Sequence, residues 1–63
     1  MEMKDRIKEI RKSKGYTQQA FADALGVKQN TIATYEMGRI VPSDTVINLI
    51  CSKFSVREEW LRT

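Results

Sequence analysis

Histidine is absent and cysteine occurs once, at Cys51, in a chain of 63 residues. A disulfide framework needs two cysteines, and a structural zinc site needs about four Cys or His ligands, so neither can hold one copy of this chain together. Folding has to rest on packing alone, and a lone thiol suits a reducing compartment. No apolar run approaches the roughly 20 residues of a membrane span, and Met1-Glu2-Met3-Lys4-Asp5 lacks the apolar core of a signal peptide. The expected location is the cytoplasm. No stretch alternates with period two for long enough to argue a strand, and no internal repeat or low-complexity tract is present. Without histidine, a second cysteine, a phosphate-cradling glycine loop or clustered carboxylates, no acid–base or nucleophilic site can be assembled. The chain is not expected to be an enzyme, and its residues call for neither a metal nor a cofactor.

A content of 41% hydrophobic and 30% charged residues is that of a globular protein. At 7.3 kDa there is room for one domain, 1–63, which can bury only about 60% of the surface its unfolded chain exposes. The net charge of +3 is modest, but its placement is informative. Residues 1–43 carry eight cations (Lys4, Arg6, Lys8, Arg11, Lys12, Lys14, Lys28, Arg39) against five anions, whereas residues 44–63 carry three of each. A polyanion is the partner to test for the first two-thirds of the chain, the alternative being a solvated face.

The three glycines and the single proline fall between apolar-periodic segments. Met3, Ile7 and Ile10 recur at helical spacing and are followed by Lys12-Ser13-Lys14-Gly15, cations and then a glycine suited to a helix C-terminus. Thr17 can cap a second, short helix with Phe21, Ala22 and Leu25 on its apolar face and Gly26 at its end. Only Gly26, Val27 and Lys28 separate it from a third, in which Ile32 and Tyr35 lie three apart and Gly38 marks the end. Two helices joined so tightly must cross steeply. Ser43 can cap a fourth helix whose buried stripe is Ile47, Ile50, Cys51 and Phe54, and Ser55-Val56-Arg57-Glu58 reads as a capping box for a fifth carrying Trp60 and Leu61. The expected fold is all-α, a compact bundle of five short helices.

One constellation carries function. Counting from Gln18, a small residue stands at the fifth place (Ala22), a glycine at the ninth (Gly26) and a β-branched apolar residue at the fifteenth (Ile32). Ala22 does not hold the next helix off, Gly26 takes the positive φ of the turn, and Ile32 anchors the second helix while its other face stays outside. This is the helix-turn-helix pattern. With Gly15 through Ala22, Leu25-Gly26-Val27, Thr31 through Arg39, Pro42-Ser43 and Val56 to Leu61, the chain from Ile7 to Leu61 resembles the lambda-repressor-like helix-turn-helix family, the Cro, phage-repressor and Xre type of bacterial regulators.

The resemblance implies a DNA-binding transcriptional regulator of phage-repressor kind, with its third helix in the major groove of double-stranded DNA. Lys28, Gln29, Asn30 and Thr34 are then the candidates for base contacts. Gln and Asn can bond the N6/N7 edge of adenine and Thr can meet a thymine methyl, the alternative for Gln29 and Asn30 being a solvated helix start. Gln18, at the N-terminus of the second helix, and Arg39, after the third, are the candidates for phosphate contacts. Lys28 departs from the Ser or Thr expected as the cap of the third helix, and a cation there opposes the helix dipole unless DNA lies close. Glu36, in the last turn, wants a cation. The resemblance implies that Arg11 of the first helix pairs with it and faces the phosphates.

Val46 and Leu49 are further apolar residues beside the stripe of the fourth helix. Either the fifth helix or the Met1 to Met3 segment covers them, or they form the seam of a weak homodimer, as the resemblance implies for phage repressors, presenting two recognition helices to a near-palindromic operator. Two further alternatives bear on function. A protein-interaction module of the same fold, such as an antitoxin, would share the motif, and the stop at Thr63 leads us to expect the amino-terminal part of a longer repressor, the alternative being a whole regulator of Cro kind.

Overall fold

Apolar side chains three and four apart set out five helices in the computed structural model, which describes residues 2–62. They are α1 (Met3–Ser13), α2 (Gln18–Leu25), α3 (Gln29–Glu36), α4 (Asp44–Phe54) and α5 (Glu58–Arg62), with no strand among the described residues. Thr17 Oγ1 accepts from the Ala20 amide at 3.0 Å to start α2, and Ser43 Oγ accepts from the Val46 amide at 3.4 Å to start α4. Lys28 occupies the N-cap of α3 and supplies no side-chain bond. Gly26 closes α2 in the left-handed conformation, at φ 74°, where a Cβ would be strained. That single left-handed residue turns the chain so that α3 packs across α2.

The core is drawn from every helix: Ile7 and Ile10 of α1, Phe21, Ala22 and Leu25 of α2, Ile32 and Tyr35 of α3, Ile47, Ile50 and Phe54 of α4, and Leu61 of α5. Phe21 stacks on Phe54 with ring centroids 5.0 Å apart, and Tyr16 meets both edge-on. The Arg6 guanidinium lies 5.0 Å from the Trp60 ring centroid and donates to the Trp60 carbonyl, tying α5 to α1. Arg62 reaches both Glu58, at 2.6 Å, and Asp44, at 2.8 Å, so α5 is also held to the start of α4.

Three expectations need adjustment. Ser55 does not open a capping box with Glu58. It is the left-handed C-cap of α4 (φ 55°), and the next amide, Val56, donates to the Cys51 carbonyl, so both residues are spent reversing the chain and α5 starts only at Glu58. Cys51 is half-buried and not part of the sealed stripe. Burial, and then the charge of Glu58, push its thiol pKa up, with Arg62 opposing. Val46 packs against the core, leaving Leu49 as the exposed apolar residue of α4. Met3 also packs against the core, while Met1 lies outside the described residues, as does Thr63.

Candidate nucleic-acid interface

Helix α3 turns Ile32 and Tyr35 inward, which leaves the opposite side of an eight-residue helix, about 12 Å long, facing out. At its start Lys28, Gln29 and Asn30 are all exposed. One turn on, Ala33 and Thr34 are half-buried, and the Thr34 hydroxyl donates to the Asn30 carbonyl at 2.7 Å. That bond fixes the Thr34 rotamer and leaves its methyl group and oxygen lone pairs to offer a ligand. Arg39 lies beyond the other end of α3, exposed and in no ion pair among the described residues. Exposed cations thus bracket the surface at Lys28 and Arg39, with amide and hydroxyl groups between them.

The end of α3 is held by a buried hub. Glu36 and Arg11 side chains are 5% and 12% exposed, and Arg11 grips the carboxylate with both Nε (2.7 Å to Oε2) and Nη2 (3.2 Å to Oε1). Arg11 Nη1 donates to the Tyr16 carbonyl at 3.0 Å, and Gln18 Nε2 donates to Glu36 Oε1 at 3.3 Å. One carboxylate therefore joins α1, α2 and α3. The pairing also neutralises the only anion of α3, which would otherwise repel a polyanion approaching the helix. Because a carboxylate only accepts, Gln18 must turn its NH₂ group to Glu36 and keeps one N–H for any further partner.

The sequence nominated Lys28, Gln29, Asn30, Thr34, Gln18, Arg39, Arg11 and Glu36, and the fold gathers them around α3 and the ends of α1 and α2 that support it. Sequence reasoning missed two features. It did not connect Gln18 to Glu36, a contact between residues 18 apart in the chain. It also passed over Met37, which continues the outward stripe of Asn30 and Thr34 and is 57% exposed. The available signal was helical spacing, since Met37 follows Thr34 by three. Among the described residues there is no cluster of Cys, Asp and Glu fit for a metal, and no helix long and apolar enough to cross a membrane.

A helix pair joined by a three-residue turn, with a locked second helix whose outer face is polar and cationic, defines a helix-turn-helix DNA-binding domain and not an enzyme. A helix-turn-helix family model matches residues 7–61. The chain is 39% identical over 62 residues to the uncharacterised HTH-type transcriptional regulator YgzD of Bacillus subtilis, covering 94% of each. Over 50 residues it is 40% identical to the antitoxin PezA of Streptococcus pneumoniae, covering 79% of this chain but 32% of that protein. Its fold matches the P22 c2 repressor, solved in complex with a synthetic operator, with a TM-score of 0.92 at 21% identity, over 100% of this chain and 96% of that one. The chain belongs to the lambda-repressor-like, Cro/C1-type helix-turn-helix family of transcriptional regulators.

Proposed function

We propose that this domain is a sequence-specific repressor of phage or prophage type, which lays α3 in the major groove of double-stranded DNA. The observation that carries the reading is the exposed run Lys28, Gln29 and Asn30 at the start of a helix locked at its other end by Arg11, Glu36 and Gln18. Rigid presentation of amides to base edges is what direct readout requires, because a mobile helix would lose the gain to ordering entropy. Gln29 and Asn30 read adenine edges, Lys28 reaches a guanine or a phosphate, and Thr34 meets a thymine methyl. Arg39 and the remaining N–H of Gln18 hold phosphates. Arg11 acts chiefly by fixing Glu36, with two of its five N–H groups left to face the backbone. A regulator of this kind works in the cytoplasm, as a weak homodimer on a near-palindromic operator. The seam nominated on α4 shrinks to Leu49, since Val46 packs inward.

Selection of bound sequences from a random duplex pool, followed by salt titration on the winner, tests the reading. A half-site should emerge, and log K should fall with log salt by about 0.9 per phosphate neutralised. Gln29→Ala and Asn30→Ala should each cost about 1–3 kcal/mol on the selected site and less on random DNA, whereas Arg39→Ala should weaken all sequences alike. No enrichment, or no salt dependence between about 50 and 200 mM, would remove DNA as the partner. The likeness to the antitoxin PezA favours a second reading, in which the same domain also serves a toxin–antitoxin pair. Capture of a small toxin from the native host distinguishes it.

A further inference from the structure

A groove of about 490 Å³ runs between the second half of α1 and the joint of α4 with α5. Ile10, Phe54, Val56 and Trp60 supply its apolar lining. The first three belong to the core or pack on it, whereas Trp60 keeps 37% of its surface in solvent. Trp60 is the single tryptophan of the chain, and its ring already holds the Arg6 guanidinium at 5.0 Å. Glu9 and Ser13, on the α1 wall, each stand two residues from Arg11, about 200° round the helix, so the groove turns away from the hub that carries α3. A concave apolar surface of this volume, with a few polar groups at its rim, has the size and make-up of a small-molecule site.

The rim decides what kind of molecule fits. Glu9, Lys14 and Arg57 line the groove, are exposed, and enter no ion pair or side-chain hydrogen bond among the described residues. The arginines of α1 and α5 are by contrast engaged: Arg6 with Trp60, Arg11 with Glu36, and Arg62 with Glu58 and Asp44. Two unengaged cations against one anion leave the rim positive. An arginine fork beside an apolar wall suits a carboxylate, which it can bond through two parallel N–H groups. We propose that this groove binds a small aromatic monocarboxylate, its ring against Trp60 and Val56 and its carboxylate between Arg57 and Lys14.

The ring supplies the driving force and the charge supplies the choice. Packing an aromatic ring on Trp60 takes apolar surface of both out of water and adds the attraction of an aromatic pair. An ion pair at an exposed rim contributes little, so the carboxylate discriminates by several-fold and not by orders of magnitude. Because Ile10, Phe54 and Trp60 come from α1, α4 and α5, an occupant bridges three helices, and a ligand that only the folded chain can bind raises its stability by mass action. Occupancy needs nothing from α3, so the groove fills whether or not α3 binds DNA.

The test is a titration of isotope-labelled protein with naphthoate, naphthylmethanol and naphthylmethylamine, followed by nuclear magnetic resonance, in which Trp60 gives the single indole N–H peak. Naphthoate shifts that peak with a Kd of about 1 mM or tighter. It binds about three- to tenfold more tightly than naphthylmethanol, and the amine binds more weakly than either. At about ten times Kd it raises Tm by about 6–11 °C. The double variant Lys14→Gln/Arg57→Gln, at two exposed and unpaired positions, keeps the fold and binds acid and alcohol within about twofold of each other. Equal affinity of the wild type for acid and alcohol, or a preference for the amine, would overturn the carboxylate assignment. So would a double variant that still prefers the acid as the wild type does. No shift of the Trp60 peak at about 10 mM naphthoate, or larger shifts at Gln29 and Asn30 than at Trp60, would overturn the site itself.

Discussion

Replacing Arg11 by methionine removes the cation from a carboxylate that is only 5% exposed, and the cost can be worked from that burial. Exposed ion pairs contribute about 0–1 kcal/mol, whereas breaking a buried one by removing a single partner costs about 3–5 kcal/mol. With side chains at 12% and 5% exposure and a bidentate grip, the pair lies near the buried limit, so about 3 kcal/mol is expected. A chain of 63 residues has a total stability of about 3–9 kcal/mol, of which this is a third or more. At about 4–8 °C per kcal/mol for a domain of this size, Arg11→Met should lower Tm by about 12–24 °C in a circular dichroism melt at 222 nm. The double variant Arg11→Met/Glu36→Met should recover most of the loss, because two apolar groups replace a charge pair and no carboxylate is left buried alone. Gln18 would lose its acceptor in the double variant, but it is only half-buried and water can serve it. A Tm for Arg11→Met within about 3 °C of wild type would refute the reasoning, since that shift belongs to an exposed pair. So would a double variant as unstable as the single one.

Three further outcomes follow from local geometry. Lys28→Ser should supply the missing cap of α3 and raise stability by about 1 kcal/mol in urea melts while weakening DNA binding; a stability gain with unchanged affinity would show that Lys28 points to water. Gly38→Ala should destabilise by about 1–2 kcal/mol, because φ is 77° there and a Cβ would stand 2.7 Å from Lys4 Cδ; an unchanged urea midpoint would rule out strain at that turn. Cys51, half-buried with its thiol pKa pushed up by burial and Glu58, should alkylate with iodoacetamide at pH 8 several-fold more slowly in the folded protein than in urea, and equal rates would contradict its placement.

The starts of α2 and α4 and the end of α2 were legible because capping is local chemistry. Thr17 and Ser43 bond amides three residues away, and Gly26 takes a conformation its own lack of a Cβ permits, so neighbours in the chain suffice to read them. The inner faces of the helix-turn-helix pair followed from spacing, which fixes whether Ala22, Ile32 and Tyr35 share a side with the core. Membership of the family was legible for the same reason, and so was the uncapped start of α3, because a lysine side chain offers no acceptor at Lys28. What spacing cannot report is distance between elements. Gln18 meets Glu36, Arg6 stacks on Trp60 54 positions away, and Arg62 bridges to Asp44 only because the helices come together at particular angles. Ser55 shows the same limit within a short stretch. Its sequence suits the start of α5, but closing α4 over Phe54 required a left-handed residue there first, and the packing of Phe54 on Phe21 decided between the two. Exposure was decided the same way: Val46 and Leu49 look alike in the sequence, yet the approach of neighbouring helices packs one against the core and leaves the other exposed, as it leaves Ile40 and Val41 in the loop after α3.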